Sequence, residues 1–350
     1  MPRITHPDLT RFAAALLRAA GLAEQDARAT AEGLADATAR GVTSHGITRL
    51  PQYVRSISAG EINRTPDVRL IGGRGATALV DADGGYGFRP SVLAVEEAVR
   101  LATRYGVGVV GVRASHHFGA AALYTERIAR SGMIGIGTST AKARIAPPGG
   151  TRAVLGNNPL SLAVPRPAPD PPIALDIALG QVAIGRLRLA AEAGEPVPAG
   201  WGFDRHGRPS TDPREIIDGG LLAPVGGHKG YGLALVLEIL AGALTGSPFG
   251  LAADPHRHLA GGVGHLFLAL DVSALGGPDG FDAHVSDLVA QVRAVPPGEG
   301  QPPPRLPGEG SAARAAASLT EGVAVRPRLA EDLDELAGRL AVAGPPWIRE

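Results

Sequence analysis

The order of apolar and polar positions divides the chain into helical ends and an alternating middle. Leu9, Phe12, Ala13, Leu16 and Leu17 follow a helical stripe, with Asp8 read as its N-cap and Gly21 as its stop. An alanine-rich helix is predicted over roughly 24–40, closed by Gly41, and a third from near Pro51 to Gly60. Ser44, His45 and Arg49 therefore fall in a turn that leads into a helix. From Val68 the spacing changes to short β-type runs at 68–71 and 77–80, followed by a helix over 90–105.

An apolar run at 107–112 comes next, then the turn Ala114-Ser115-His116-His117-Phe118-Gly119. A helical spacing through Ala120, Tyr124 and Ile128 follows, and a second apolar run at 133–136. This is strand, polar turn, helix, strand. The two histidines are read as standing where the helix begins, where backbone N–H groups have no intrahelical partner and favour an anion. Further strands are predicted at 160–164, 173–177 and 265–272, and helices at 231–244 and 281–295. Residues 194–227 are turn-rich, 296–310 form a proline- and glycine-rich connection, and 312–340 are helical in two pieces broken at Arg326-Pro327. The alternation predicts an α/β sheet protein. The chain ends, 1–75 and 296–350, are expected to combine into one small helical domain beside an α/β body at 76–295.

Charge narrows the partners. The 350 residues carry 34 basic and 34 acidic side chains, so no global field draws the chain to nucleic acid or an anionic membrane. No apolar run approaches the roughly 20 residues of a spanning helix, and the first residues lack the apolar core of a signal peptide. A cytoplasmic protein acting on a small molecule is expected. Zero cysteines exclude disulfides, thiolate metal sites and a cysteine nucleophile.

The candidate chemistry lies in turns. Gly106-Val107-Gly108-Val109-Val110-Gly111 matches the G-x-G-x-x-G pattern, but its glycines fall inside a strand that follows a helix. A dinucleotide fingerprint has the reverse order, so close packing explains these glycines better. Gly226–Gly230 lacks the Gly-Lys-Ser/Thr of a phosphate loop; its Lys229 fits both an anion contact and a solvated turn. His117 fits a proton-transferring role or a capping one. Ser44-His45 with Arg49 fits a proton carrier beside a carboxylate clamp, and equally an N-cap with solvated charges. Asp254-Pro255-His256-Arg257-His258 reads as a solvated loop rather than a metal site. Asp176 ends a strand, where α/β proteins place ligand contacts, and also fits a helix cap. A Ser44–His45 or metal-dependent hydrolase is a distant alternative, since adjacent residues rarely make a nucleophile–base pair.

Several motifs taken together resemble the malate/L-lactate dehydrogenase family that lacks a standard Rossmann domain. They are Ser44-His45-Gly46 with Arg49-Leu50, His117-Phe118-Gly119, Ala146-Pro147-Pro148-Gly149-Gly150, Gly156-Asn157-Asn158-Pro159-Leu160 and Leu175-Asp176-Ile177-Ala178. Farther on come Gly207 to Pro213, Gly227-His228-Lys229-Gly230-Tyr231-Gly232 and Leu306-Pro307-Gly308-Glu309. The resemblance spans nearly the whole chain in family order. It implies a three-layer α/β/α fold with a mixed sheet and an NAD- or NADP-dependent oxidoreductase of a small 2-hydroxy or 2-oxo acid. Reduction of a cyclic imino acid such as Δ1-piperideine-2-carboxylate is the close alternative. It further implies a homodimer with the active site near its interface. By the same likeness the cofactor meets His117, Phe118, Gly119, Ala120, Ala121, Ser139 or Thr140, Asp176, Ile177, Ala178, Lys229, Gly308 and Glu309. Ser44 and His45 form the proton relay, with His117 as rival acid/base, Arg49 on the substrate carboxylate and Asn157 near the substrate. The chain departs from its relatives at Ser139–Arg144, His116, Arg186 and His228; Lys142 and Arg144 are candidate partners for an adenosine 2′-phosphate.

Overall fold

Seven strands form the central sheet, in the order Arg69–Gly72, Thr77–Asp81, Val107–Ser115, Val263–Asp271, Met133–Ser139, Pro159–Val164 and Ile173–Ala178. The sheet belongs to a computed structural model that describes residues 1–254, 256, 259–275 and 278–348. The pairing of Thr77–Asp81 with Val107–Ser115 is parallel, and the other neighbours are antiparallel. Val263–Asp271 enters between two strands that are consecutive in the expected strand–turn–helix–strand unit, so the sheet is mixed.

Helices cover both faces, which makes three layers. Phe88–Tyr105 and Ala122–Arg130 bury Ala94, Val95, Ala98, Tyr124 and Ile128 against Val80, Val110, Val112 and Phe267. The opposite face is met by the helix His228–Glu238 and the single π-turn Ile239–Ala243 that continues it. Strand glycines permit this close approach. A Cβ at Gly108 would lie 2.0 Å from the Ala98 carbonyl oxygen, and one at Gly264 would lie 2.0 Å from that of Ala241. Gly108 and Gly111 are thus packing residues inside the strand, whereas Gly106 precedes it and closes the helix Phe88–Tyr105 at φ +82°.

The chain ends share one apolar cluster. Leu9, Leu16, Leu17, Leu34, Leu50 and Tyr53 pack with Val323, Leu333 and Leu336, and with Tyr86 and Phe88 at the entry to the sheet helix. His6–Ala19 is capped by Thr5, whose hydroxyl accepts from the Asp8 N–H at 3.2 Å; Asp8 sits inside the helix rather than at its cap. A third cluster joins Leu179, Val182, Leu187, Val197, Ile216 and Leu222 to Leu237. The turn-rich stretch after Gly180 is therefore a small lobe, with the helices Ile184–Ala193 and Pro213–Ile217 and a three-stranded sheet. The helix read at 231–244 begins earlier, at His228, and leaves α geometry after Glu238.

Candidate active site

The turn expected to hold the chemistry folds as two short 3-10 turns, Thr43–His45 and Ile47–Arg49, directly before the helix Leu50–Ser58. Ser44 Oγ lies 2.9 Å from His45 Nδ1. Arg49 Nε donates to the Ser44 carbonyl at 2.7 Å and Nη1 to Gln52 Oε1 at 3.1 Å, so the guanidinium is oriented by its own turn. Its Nη2 has no partner among the described residues. Such a half-clamped fork suits an incoming carboxylate.

His117 faces this turn from the sheet side. Its ring is near-parallel to that of His45, at 5.4 Å between centroids and 16° between planes. His256 adds a third near-parallel imidazole, 5.5 Å from His117. The Tyr53 hydroxyl bonds His117 Nδ1, and the Gly119 N–H donates to the same atom at 3.3 Å. A backbone N–H can only donate, so Nδ1 is the acceptor and the neutral ring carries its proton on Nε2. Tyr53 stacks on Tyr86 at 4.4 Å in the helical core, which fixes the phenol. The sequence reading did not select Tyr53, and it took the His256 loop for a solvated one, whereas His256 is half-buried against His117. Tyr53 stands four residues after Arg49, on the same side of a helical turn, and that spacing is the signal that could have found it.

The imidazoles are deep in the site yet keep some solvent contact. Burial, followed by the positive charge of Arg49, lowers His45 to about 4 and His256 to about 4, and holds His117 well below the ordinary imidazole range. Burial raises the Tyr53 hydroxyl, so it stays a donor. The site at neutral pH is a set of neutral imidazoles beside a guanidinium.

Behind the turn, His265 is fully buried, with Nδ1 2.8 Å from Ser139 Oγ and Nε2 2.8 Å from Ser115 Oγ. Its ring stacks on Phe118 at 4.4 Å, and burial lowers its pKa to about 3. Ser139 and Thr140 are buried too, and their hydroxyls bond the Thr140 carbonyl and the Gly264 N–H. This part of the candidate cofactor list supports the turn from beneath.

The sequence reading placed the two histidines at a helix start, and the structure corrects it. Ala122–Arg130 begins five residues after His117, and its first free N–H, that of Ala122, donates to Asp176 Oδ2 at 3.0 Å. The Asp176 side chain keeps contact with solvent, and the protein atoms packed around it push its carboxyl up to about 6. On the same edge strand, Ala174 N–H bonds the Pro307 carbonyl, and a Cβ on Gly308 (φ +88°) would meet Ala174 at 3.0 Å. Ala120, Ala121, Asp176 and the Gly308 turn are therefore neighbours, and Phe118, Ala120 and Ala121 are buried. Ile177 and Ala178 continue the same strand. Glu309 is committed elsewhere: Oε1 accepts from Arg293 at 2.8 Å and Oε2 from the Leu306 N–H at 2.9 Å.

Asn157 accepts the Leu179 N–H with its carbonyl at 2.9 Å. The neighbouring Asn158 is the buried one, donating to Glu238 Oε2 at 2.6 Å, and Glu238 also accepts the Gly250 N–H at 2.7 Å. Lys229 is exposed, after Gly226 and Gly227 at φ +62° and +64°, and makes no ion pair among the described residues. Of the loop 254–258, Pro255, Arg257 and His258 lie outside the described residues. Asp254 accepts Lys142 Nζ at 3.3 Å and the His256 N–H at 3.0 Å, which carries His256 to the site. Among the described residues no three His, Cys, Asp or Glu side chains form a metal-ligand group. No carboxylate among them bonds His45, so a hydrolase's orienting acid is missing there.

Residues 4–334 match the profile of the malate/L-lactate dehydrogenases. The chain belongs to this family. It is 32% identical over 349 residues to a malate dehydrogenase of Pyrococcus horikoshii, covering 98% of this chain and 96% of that one. Among solved structures, the sulfolactate dehydrogenase of Methanocaldococcus jannaschii superposes with a TM-score of 0.90 at 32% identity over 100% of both chains. The delta1-piperideine-2-carboxylate reductase of Pseudomonas syringae pvar. tomato does so with a TM-score of 0.88 at 31% identity, over 96% of this chain and 100% of that one. The protein is accordingly an oxidoreductase with the malate/L-lactate dehydrogenase fold, and such dehydrogenases imply a nicotinamide cofactor.

Proposed function

We propose that the protein moves a hydride between NAD or NADP and carbon 2 of a small 2-hydroxy or 2-oxo acid. The observation that carries this reading is the convergence of Arg49, the Ser44–His45 pair and the Tyr53–His117 pair in one cluster. Such a reaction needs a clamp for the carboxylate, a donor to the oxygen on carbon 2, and a group that carries the proton.

Arg49 is oriented to hold the carboxylate through Nη2. His117, with Nδ1 already occupied by the Gly119 N–H and Tyr53, presents Nε2–H to the substrate oxygen. A second proton on Nδ1 would set two N–H groups against each other, so His117 is a poor proton carrier. His45 has no such conflict. Ser44 Oγ faces its Nδ1 at 2.9 Å, and with Nδ1 protonated toward Ser44, Nε2 takes the hydroxyl proton in oxidation and returns it in reduction. The bound nicotinamide supplies or accepts the hydride. The small residues Gly119, Ala120 and Ala121, the Asp176 carboxylate and the Gly308 turn fit a nucleotide laid along the backbone at that edge.

Two further parts of the reading concern the whole protein. The exposed apolar face of the His228–Leu244 segment supports a homodimer, and the absence of a membrane-crossing helix among the described residues fits a cytoplasmic enzyme. A cyclic imino acid is the second substrate reading, favoured by the likeness to the piperideine-2-carboxylate reductase.

A panel of oxaloacetate, pyruvate and Δ1-piperideine-2-carboxylate with NADH and NADPH tests the reaction, and turnover of none of them contradicts it. For the roles, His45→Ala is expected to lower kcat by roughly 10²- to 10⁴-fold with cofactor affinity retained. His117→Ala is expected to raise KM together with a smaller loss of kcat. The reverse pattern would move the proton-carrying role to His117.

A further inference from the structure

Beneath the His117 turn lies a buried imidazole to which the reaction gives no direct part. His265 reaches two neighbouring strands through its ring nitrogens, Nδ1 to Ser139 Oγ and Nε2 to Ser115 Oγ, each at 2.8 Å. The hydroxyls assign its proton. Ser139 Oγ gives its only hydrogen to the Thr140 carbonyl at 2.9 Å, so it accepts from Nδ1–H, and Nε2 accepts from Ser115. The strands are shaped for this contact. Val263 pairs with Ser115 but His265 with Val112, so Val107–Ser115 carries one extra residue there, and Ala114 takes a left-handed φ of +52°. Bulges of this kind re-aim a side chain, and an alanine at such a φ persists only where its surroundings hold it.

Phe118 links His265 to the site. Its ring lies on His265 at 4.4 Å and 8° between planes, and on Tyr124 at 5.3 Å and 13°. A Cβ at Gly87 would stand 2.5 Å from Phe118 Cβ and 2.7 Å from His265 Nε2, so the chain entering Phe88–Tyr105 closes this pair in. The residue after Phe118 is Gly119, whose N–H donates to His117 Nδ1 at 3.3 Å. The Tyr53 hydroxyl bonds the same atom, but a hydroxyl can also accept, so the Gly119 N–H decides the tautomer. We propose that His265 is a positioning residue for His117: by holding Phe118 in its plane it aims the Gly119 N–H at Nδ1 and keeps the His117 proton on Nε2. This deepens the oxidoreductase reading and rests on it for the substrate oxygen that Nε2–H meets.

His265→Phe keeps a flat ring on Phe118 and removes both serine bonds. It is expected to lower kcat/KM for whichever oxo acid turns over by about 10- to 100-fold, with the cofactor KM unchanged. In a His117→Ala background the same substitution should cost less than about twofold, because residues that act as a unit are not additive. Equal losses in both backgrounds overturn the proposal. So does a lower melting temperature with kcat/KM intact, or a loss confined to the cofactor KM. If His265→Phe fails to fold, Ser115→Ala removes one of the two bonds and carries the same measurements. A second arm stands apart from turnover: nitrogen-15 shifts of labelled imidazoles read the tautomers directly. Wild type is expected to show His117 as Nε2–H and His265 as Nδ1–H, and His265→Phe a mixture of both tautomers at His117. That result supports the proposal even if no oxo acid is reduced, an outcome that would sink the functional reading alone. A His117 tautomer unchanged by the substitution overturns the proposal even if the oxo acids turn over.

Discussion

Tyr53 shows how one side chain joins the core to the chemistry. Its ring is fully buried among Tyr86, Phe88 and the helical cluster, while its hydroxyl bonds His117 Nδ1. Tyr53→Phe keeps the packing and removes the donor. It should lower kcat by about 10- to 100-fold, the worth of one hydrogen bond to a reacting group, with cofactor affinity and thermal stability nearly unchanged. A loss of stability without a loss of kcat would make Tyr53 a packing residue only. The histidines give a second residue-scale expectation. Unfolded imidazoles bind protons below about 6.5, whereas folded His45 and His256 do so near 4 and His265 near 3. Between those values the unfolded chain holds more protons, so stability is lost as pH falls from about 6.5 toward 3–4. The slope approaches about 1.4 kcal/mol per pH unit for fully buried His265 and is smaller for the partly solvated pair. Urea unfolding at pH 7.5, 6 and 5 checks this, and an unchanged midpoint across that range would contradict it.

At the scale of elements, a buried ion pair ties the helical cluster to the sheet layer. Arg40, at the end of Glu24–Ala39, holds Glu126 of Ala122–Arg130 through two bonds, Nη1–Oε1 at 2.6 Å and Nη2–Oε2 at 2.8 Å, and Arg130 adds a third at 2.9 Å. Both partners are nearly buried, at 12% and 8% side-chain exposure, so removing one strands the other. Arg40→Ala should cost about 3–5 kcal/mol in urea unfolding, softened toward the lower figure by Arg130. A cost under about 1 kcal/mol would show that the charges are hydrated. The pair matters for function because the Ser44–Arg49 turns follow Arg40 directly, whereas His117 precedes the Glu126 helix. Their relative position depends on these two helices staying docked.

For the whole molecule, one apolar surface stands out. Leu233, Val236, Ile239 and Leu244 recur along the helix that covers the sheet, with Phe249 and Leu251 just beyond, and all are exposed. A patch of this kind marks an interaction surface, and a second copy is the occupant expected here. Sedimentation should show a dimer for the native chain and a monomer for the Val236→Asp, Ile239→Asp double variant. A native monomer would remove the homodimer from the functional reading.

Much was legible before any coordinates. Helical stripes such as Leu9 to Leu17 and short runs such as 107–112 carry their period in consecutive residues, and local spacing is enough to read them. The Ser44-His45 and Arg49 group was legible for the same reason, since six consecutive residues contain it. Contacts made across the fold were hidden. His256 meets His117 across 138 intervening positions only because Asp254 anchors its loop, and Gly185 comes beside Ser44 only because a turn-rich stretch folds as a lobe. Asp176 looked like a ligand contact and a helix cap at once; the tertiary structure shows it bonding the first N–H of Ala122–Arg130 from another strand. Sequence alone determined the elements and the local polar turns, because their causes lie within a few residues. Packing decided which imidazole nitrogen carries a proton and which rings stack on one another, because those depend on burial and on partners far away in the chain.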